Sequence, residues 1–282
     1  MQTHETIQSL RGALADARRS GLRIGLAPTM GALHAGHMSL VQAARRDCDV
    51  VVVSLFVNPA QFGPGEDLAR YPRTPQDDLD LCRQAGVDHV FMPSAAQMYP
   101  QPPATQVGVP SLSEHLCGLS RPGHFAGVCL VAAKLFNIVG PDAAYFGAKD
   151  YQQAAIIRRM AADLDFSIRI VTCPIVREAD GLAMSSRNAY LSAEHRRQAP
   201  GLYEALQGAR EMILSGTSSA AQVVEAVGRH LAGRTPEGRL DYVRVVNPDT
   251  LEDVETPEPP VLVALAVKLG DTRLIDNVLV ER

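Results

Sequence analysis

Two histidines three positions apart are the clearest candidates for chemistry in this sequence. His34 and His37 lie in the segment PTMGALHAGH, Pro28–His37, directly after a short apolar stretch. Gly31 and Gly36 allow the backbone to approach a ligand closely, and a helix opening at Gly36 offers free N–H groups to an anion. The pair fits phosphate contact, zinc coordination or ordinary histidines at a helix start. Phosphate is favoured over zinc because neither a third ligand nor an HExxH pattern accompanies the pair.

A lysine in a glycine-led segment is the second candidate. The chain has 24 arginines but only three lysines, so arginine is its usual cation. Lys149 follows Gly147 and Ala148 after an apolar strand-like stretch. This placement predicts a point charge for phosphate oxygens, and an ordinary surface lysine is the alternative.

The third candidate combines hydroxyl groups with a permanent cation. Met184-Ser185-Ser186-Arg187-Asn188 follows Gly181 in a stretch without apolar periodicity. Such a segment can form a mobile lid that closes over the phosphates of ATP. An ordinary loop is the alternative, because Ser-Ser-Arg is a common loop sequence.

Alternating strands and helices must position these residues. Continuous apolar runs of the kind found in strands buried on both faces alternate with helical patterns, which favours an α/β fold with a parallel sheet. The predicted strands are Leu22–Ala27, Val50–Val57, His89–Met92, Ala143–Phe146 and Ile168–Cys173. The predicted helices are an opening helix marked by Ile7 to Ala17, then Met38–Arg46, a helix from Thr74 to Gly86, Val128–Val139 and Tyr151–Leu164.

From about Pro174 the pattern changes to helices followed by strands. Helices near Ala193–Ser215 and Ala220–Ala232 precede strands at Leu240–Val246, Val261–Val267 and Leu274–Val280. This order predicts a smaller α+β domain with antiparallel pairing. We therefore expect a first domain at residues 1–175 and a second at 176–282, with the Met-Ser-Ser-Arg segment near the start of the second.

The candidate residues collect just after predicted strands. Loops beginning at Pro28, Asn58, Gly147 and Glu178 each follow such a strand. In a parallel α/β sheet the carboxyl ends of the strands share one edge, where ligands bind. The sequence therefore predicts one site supplied by four loops.

Composition excludes several other classes of function. A net charge of −4 and a pI near 6.1 give no electrostatic case for nucleic acid. The longest apolar runs, Val50–Val57 and Val261–Val267, are far shorter than the about 20 residues of a membrane helix. Met1–Gly21 lacks the apolar run of a signal peptide, and the five scattered cysteines have no CxxC pair and fit small core residues. We therefore expect a cytoplasmic protein with reduced thiols.

Six segments, matching in order and spacing, resemble the pantothenate synthetase (pantoate–β-alanine ligase) family over essentially the whole chain. They are PTMGALHAGH (Pro28–His37), FVNPAQFG (Phe56–Gly63), EDLARYPRT (Glu66–Thr74), RPGHFAGV (Arg121–Val128), YFGAKDYQQ (Tyr145–Gln153) and VREADGLAMSSRN (Val176–Asn188). The resemblance implies a Rossmann-like nucleotidyltransferase domain, related to class I aminoacyl-tRNA synthetases, with a smaller C-terminal domain. It also implies a homodimer.

The reaction that the resemblance implies is ATP-dependent condensation of pantoate with β-alanine through a pantoyl adenylate, releasing AMP and pyrophosphate. Mg²⁺ would bridge phosphate oxygens of ATP, and no side-chain ligand to it is assigned. Residues assigned to the phosphates as catalytic groups are His34, His37, Lys149, Ser185, Ser186 and Arg187, and His37 is also a candidate proton donor. The full set expected at ATP is Pro28, Thr29, Met30, Gly31, Ala32, Leu33, His34, Ala35, Gly36, His37, Gly147, Ala148, Lys149, Asp150, Val176, Met184, Ser185, Ser186 and Arg187. Asp150 is open between the ribose and the metal.

The substrates other than ATP need different partners. Gln61 and Gln153 suit pantoate, because amides both donate to and accept from its hydroxyls and carboxylate. Arg121 and His124 are candidates for the β-alanine carboxylate, with a structural loop as the alternative.

Ala148 departs from the larger polar residue of many relatives, which affects only the fine details of ATP affinity.

Three other functions remain to be compared with this one. A nucleotidyltransferase of the same superfamily that stops after nucleotide transfer would need a cationic pocket for a phosphorylated substrate, where Gln61 and Gln153 offer neutral amides. A non-catalytic nucleotide sensor would show degraded motifs, whereas both histidines, the lysine and the Ser-Ser-Arg segment are present. A dinucleotide-dependent oxidoreductase is disfavoured because no GxGxxG follows the first strand.

Overall fold

The computed structural model describes residues 1–281. The strands are β1 Gln2–His4, β2 Ile24–Thr29, β3 Val50–Leu55, β4 His89–Phe91, β5 Ala143–Gly147, β6 Arg169–Cys173, β7 Gly238–Val246, β8 Val261–Leu269 and β9 Thr272–Val280. The α-helices are α1 Ile7–Arg19, α2 Ala35–Asp47, α3 Pro75–Gln84, α4 Ala95–Met98, α5 Pro110–Ser113, α6 Cys117–Ser120, α7 His124–Val139, α8 Tyr151–Asp163, α9 Ala193–Gln198, α10 Gly201–Leu214 and α11 Ala220–Arg234. Among these residues no helix is long and apolar enough to cross a membrane.

Strands β1 to β6 form one parallel sheet in the order β1-β4-β3-β2-β5-β6. The β-branched run Val51–Val53 is fully buried, as expected for a parallel strand covered on both faces. Strands β3 and β4 lie to one side of β2, and β5 and β6 lie to the other. This reversal of strand order makes the carboxyl ends of β2 and β5 a topological switch point, where α/β proteins bind ligands. The predicted Rossmann-like sheet is confirmed.

Helix α2 packs unusually close to β2. A Cβ atom added at Gly25 would lie 3.0 Å from Cys48 Sγ and 3.3 Å from Ala44 Cβ, so a larger residue would push the helix outward. The five cysteines are buried and free, which confirms their prediction as core residues.

Strands β7, β8 and β9 form a separate antiparallel sheet, which confirms the predicted pairing. One predicted helix differs: the stretch Ala193–Ser215 is two helices, α9 and α10, that meet at Pro200. Proline lacks the N–H that a continuous helix requires, and its ring displaces the carbonyl one turn earlier. Strand β1 was not predicted, because three residues are too few to show a period.

The chain forms two compact units. The first contains Met1–Pro110, Arg121–Ala148 and Gln153–Pro174, and the second contains Ser111–Ser120, Lys149–Gln152 and Ile175–Arg282. Buried Gln152 ties two of these segments of the second unit together. Its Nε2 donates to the carbonyls of Leu112 (2.9 Å) and His115 (2.7 Å), and its Oε1 accepts from Cys117 N (2.9 Å). The division at residues 175 and 176 stays a prediction about domains.

Candidate active site

In the first unit, the predicted phosphate-binding segment forms a tight turn at the carboxyl end of β2. Pro28 and Thr29 end the strand, Met30 to His34 form the turn, and Ala35 to His37 open α2. Two successive residues take left-handed backbone angles, Gly31 at φ 82° and Ala32 at φ 50°. Glycine adopts such angles without cost, whereas alanine does not. The turn therefore needs an external contact at Ala32.

His34 and His37 cap the start of α2 through one ring nitrogen each. His34 Nδ1 accepts from Gly36 N at 3.2 Å, and His37 Nδ1 accepts from His34 N at 3.3 Å. The two rings lie 4.0 Å apart, centroid to centroid. A neutral imidazole whose Nδ1 accepts a hydrogen bond carries its proton on Nε2. The Nδ1 contacts therefore assign the proton of the neutral form of each ring to Nε2, beside a helix N-terminus, an arrangement that suits phosphate oxygens.

Zinc coordination was the competing role for these histidines. No group of three His, Cys, Asp or Glu side chains able to hold a metal occurs among residues 1–281. A zinc site requires at least three protein ligands, so the pair alone does not make one.

Gln61 is held in place by a buried asparagine. Asn58 is 1% exposed, and its Nδ2 donates to Gln61 Oε1 and to Gly127 O, both at 3.1 Å. Asn58 Oδ1 accepts from the Tyr99 hydroxyl at 2.8 Å, and burial raises the pKa of Tyr99 to about 12, so this donor stays protonated. Gln61 Nε2 in turn lies 3.2 Å from the sulfur of Met30. The amide predicted for pantoate is therefore fixed in orientation next to the turn.

Helix α7 packs so closely against residues 59–61 that no side chain fits at Gly127. A Cβ atom at Gly127 would lie 2.1 Å from the carbonyl oxygen of Ala60. Any larger residue at this position would displace the short 3-10 helix Pro59–Gln61.

Arg121 and His124 support this loop from the other side. Arg121 forms a bidentate pair with Glu66 (Nε–Oε1 2.7 Å, Nη2–Oε2 2.6 Å), and His124 Nδ1 lies 2.7 Å from the Gln61 carbonyl oxygen. Burial opposes ionisation of Glu66, yet the hydrogen bond and charge of Arg121 together hold its pKa below its ordinary value. This geometry is what the structural-loop alternative predicts, and the assignment of the pair to β-alanine stays a prediction.

Further predicted residues of the first unit share the carboxyl edge of the sheet. Gly147 is the last residue of β5, which pairs with β2, and Ala148 follows directly. Gln61 follows β3 at the same edge. Gln153 lies in the first turn of α8. The structure thus brings the histidine turn, Gln61 and Gly147 to the switch point.

In the second unit, Val176 and Met184 face each other across a tight hairpin. Met184 N donates to Val176 O at 3.0 Å, and Arg177 and Ala183 form an isolated antiparallel bridge. Ser185 then caps a 3-10 helix, Ser186–Tyr190, by accepting from Arg187 N at 3.3 Å. The Met-Ser-Ser-Arg segment is therefore an ordered turn, and its closure as a lid stays a prediction.

Lys149 and Asp150 lie in the 3-10 turn Ala148–Asp150. In the second unit, the carbonyl oxygen of Lys149 accepts from Asn277 Nδ2 on β9 at 2.9 Å. Strand β9 thus fixes the main chain of Lys149. The contact uses the carbonyl oxygen and does not involve the side chain.

A set of charged side chains holds the hairpin Val176–Asn188. Arg177 forms a bidentate pair with buried Asp276 (2.6 and 3.0 Å) and stacks 3.9 Å above the ring of Tyr203. Glu178 accepts from Asn188 Nδ2 at 2.8 Å and from Arg196 Nη2 at 2.6 Å.

Sequence reasoning missed most of these supporting residues. Asn58 and Glu66 lie in quoted motifs and Tyr99 lies outside them, but nothing in their spacing shows that Asn58 contacts Gln61 and Tyr99, or that Glu66 contacts Arg121. Asp276 lies 99 positions from Arg177. A buried acid in the middle of an apolar strand was the one available signal.

Fold and site together define an α/β protein whose two-histidine turn lies at the switch point of a Rossmann-like sheet. The pantoate–β-alanine ligase family model matches residues 2–279, and the chain belongs to this family of ligases. It is 55% identical to a pantothenate synthetase of Moorella thermoacetica over 281 residues, covering 100% of this chain and 99% of the relative. It is 52% identical to that of Acetivibrio thermocellus, with 100% of both chains covered.

Solved structures give the same result. A pantothenate synthetase of Thermus thermophilus is 46% identical, with a TM-score of 0.95 and full coverage of both chains. A pantoate–β-alanine ligase of Francisella tularensis, described as complexed with β,γ-ATP and β-alanine, is 32% identical with a TM-score of 0.82. It covers 99% of this chain and 97% of its own.

Proposed function

We propose that this protein condenses pantoate with β-alanine at the expense of ATP, through a pantoyl adenylate, releasing AMP and pyrophosphate. The observation that carries the proposal is the pair of His34 and His37 rings, each accepting a backbone N–H at Nδ1, at the switch point beside the N-terminus of α2. Membership of the ligase family supports it, as does the nucleotide and β-alanine complex of the Francisella relative.

The first step is attack by the pantoate carboxylate on the α-phosphorus of ATP. One O–P bond forms, the bond to the β-phosphate bridging oxygen breaks, and pyrophosphate leaves. Negative charge grows on the departing phosphates, where preformed N–H donors stabilise it most. We assign His34, His37, Lys149, Ser185, Ser186 and Arg187 to these oxygens.

In the second step the neutral amine of β-alanine attacks the acyl carbon. A C–N bond forms, the C–O bond to AMP breaks, and the amine loses a proton. A carboxylate is a poor acyl donor, and adenylation supplies the good leaving group. Gln61, fixed by Asn58, and Gln153 are proposed to hold pantoate for both steps.

Mg²⁺ enters as part of the ATP substrate. It prefers phosphate oxygens and water over cages made only of protein ligands, so the ATP phosphates are proposed to hold it. No protein ligand to the ion is therefore assigned, and Asp150 remains open between the ion and the ribose. A homodimer, from the family resemblance, and a cytoplasmic location, which fits the scattered cysteines without a CxxC pair, complete the proposal.

The direct test is AMP formation from ATP, Mg²⁺ and pantoate, with and without β-alanine. Catalytic AMP that requires both substrates and equals the pantothenate formed would support the proposal. ATP binding without AMP or pyrophosphate would favour a nucleotide sensor. Pyrophosphate release with a phosphorylated acceptor would favour the nucleotidyltransferase.

Substitution of Lys149 tests the phosphate assignment. Lys149→Ala should lower kcat/KM for ATP by about 100-fold, because it removes a charge aimed at the leaving phosphates. Lys268→Ala is a matched control, since Lys268 lies on β8 and has no assigned role. Near-native turnover by folded Lys149→Ala protein would contradict the assignment.

A further inference from the structure

A buried carboxylate outside the proposed set of ligand contacts holds the histidine turn. Asp78 lies in α3, is 3% exposed, and accepts from two successive backbone amides of the turn. The distances are 2.9 Å from Ala32 N to Oδ2 and 2.7 Å from Leu33 N to Oδ1. Helix α3 is distant in sequence from the turn, so this is a tertiary contact.

A side-chain hydroxyl and a helix N-terminus also lie close to the Asp78 carboxyl group. The Thr74 hydroxyl donates to Oδ1 at 3.2 Å, and the residue lies near the N-terminus of α3, the positive end of the helix dipole. Burial, and secondarily the charge of Asp78, raises the pKa of the Cys82 thiol to about 11, so that thiol stays neutral. Hydrogen bonds to a charged acceptor are stronger than those between neutral groups.

The bonds fall where the turn is least favourable by itself. Ala32 has φ 50°, a left-handed angle that alanine rarely adopts. Gly31, at φ 82°, has little room for a side chain, because an added Cβ would lie 3.0 Å from Asp78 Oδ2. Two amides pulled toward one carboxylate fix the backbone at Ala32 and Leu33, and His34 follows directly.

We propose that Asp78 is a positioning residue of the nucleotide site: it holds the left-handed turn that sets the Nε2–H donors of His34 and His37. This rests on the proposed function only for the identity of the nucleotide. Asp78 itself is buried and is not among the residues assigned to the substrates.

The main variant is Asp78→Asn, which keeps the volume but turns an NH₂ group toward a backbone N–H. We expect kcat/KM for ATP to fall about 30-fold, since hydrogen bonds to a charged acceptor are lost. KM for β-alanine should change less than twofold. Asp77→Asn is the matched control, because Asp77 is an exposed neighbour on the same helix, and it should leave both constants unchanged.

A double-mutant cycle separates positioning from general destabilisation. Glycine at position 32 adopts the left-handed angle without help, so Asp78→Asn should cost about fivefold less in an Ala32→Gly background than in the natural one. An equal cost in both backgrounds would overturn the proposal. So would a lowered Tm with unchanged kinetics of the folded protein.

A second readout does not depend on turnover. Nitrogen-15 NMR of the histidine rings should show Nε2-protonated His34 and His37 in the natural protein and mixed tautomers in Asp78→Asn, and unchanged tautomers would refute the role. If the natural protein makes no AMP, the proposed function fails and this measurement still decides the role of Asp78. If Asp78→Asn does not fold, Thr74→Val should give the same shifts to a smaller degree, and their absence would overturn the proposal.

Discussion

The two segments that are proposed to bind phosphate are held in place by different means. The turn Met30–His37 in the first unit depends on one buried carboxylate, Asp78, bound to main-chain amides. The hairpin Val176–Asn188 in the second unit depends on several side-chain ion pairs of graded exposure. The two segments therefore differ in what would weaken them. Backbone hydrogen bonds to a buried charge fix a conformation, whereas exposed ion pairs are weakened by salt and by acid.

The largest effect in the second unit should come from its most buried pair. Asp276 is 2% exposed and Arg177 18%, so Arg177→Ala leaves an uncompensated buried charge. We expect about 3 kcal/mol of destabilisation in urea unfolding. Arg244→Ala is the control, because its pair with Asp253 is 48% and 61% exposed and should contribute less than about 1 kcal/mol. Equal effects would show that burial does not separate the two pairs.

The hairpin also depends on close packing of Gly181 against the ring of Tyr203. A Cβ at Gly181 would lie 2.3 Å from Tyr203 Cδ1, and φ there is 91°. Gly181→Ala should therefore destabilise by about 2 kcal/mol and disturb the stacking of Tyr203 on Arg177. Gly208→Ala, in the open interior of α10, should instead stabilise by about 0.5–1 kcal/mol. Thermal unfolding of both variants measures the contrast, and the same sign for both would refute it.

The smallest loss of stability should come from the partly exposed ion pairs of Arg196. Arg196 pairs with Glu178 and Asp180, all of them about a third exposed, so Arg196→Ala should cost no more than about 1 kcal/mol. The loss should shrink in 1 M NaCl, because salt screens exposed charges. Asp78→Asn should show little dependence on salt. A salt-independent effect of Arg196→Ala would erase the distinction between the two segments.

Acid should weaken the ion pair between Asp180 and Arg196. The hydrogen bond from Arg196 holds the pKa of Asp180 below its ordinary value near 3.8. The carboxylate thus contributes stability above that value, and the contribution disappears as pH falls through the lowered pKa. The difference in Tm between the natural protein and Arg196→Ala should therefore narrow from pH 6 to pH 3. A constant difference would mean that the pair of Asp180 with Arg196 does not stabilise the hairpin.

Much of the fold followed from the sequence because its signals are local. Apolar runs such as Val50–Val57 and helix signals such as Thr74-Pro75 carry their own period and capping chemistry. The division of one predicted helix at Pro200 was missed, although the proline was visible, because an apolar pattern continued across it. The edge strand Gln2–His4 had no pattern to find.

In the candidate site, too, local signals were predictable from the sequence and tertiary contacts were not. Residue type and position after a strand were enough to nominate His34, His37 and Gln61. The neighbouring acids Asp77 and Asp78 looked identical in sequence, both as acids in the first turn of a helix. One is exposed and the other buried against the histidine turn, and only the packing of α3 distinguishes them.

By itself, then, the sequence determined the sheet, the family and the groups that are proposed to touch ATP, because strand periods, turn residues and motif spacing act over short stretches of chain. The tertiary structure alone decided what holds those groups: Asp78 for the histidine turn, Asn58 for Gln61 and Asp276 for Arg177. The physical reason is that burial and hydrogen-bond partnership arise when distant segments pack, and a carboxylate acquires its role from the amides or guanidinium that packing brings to it.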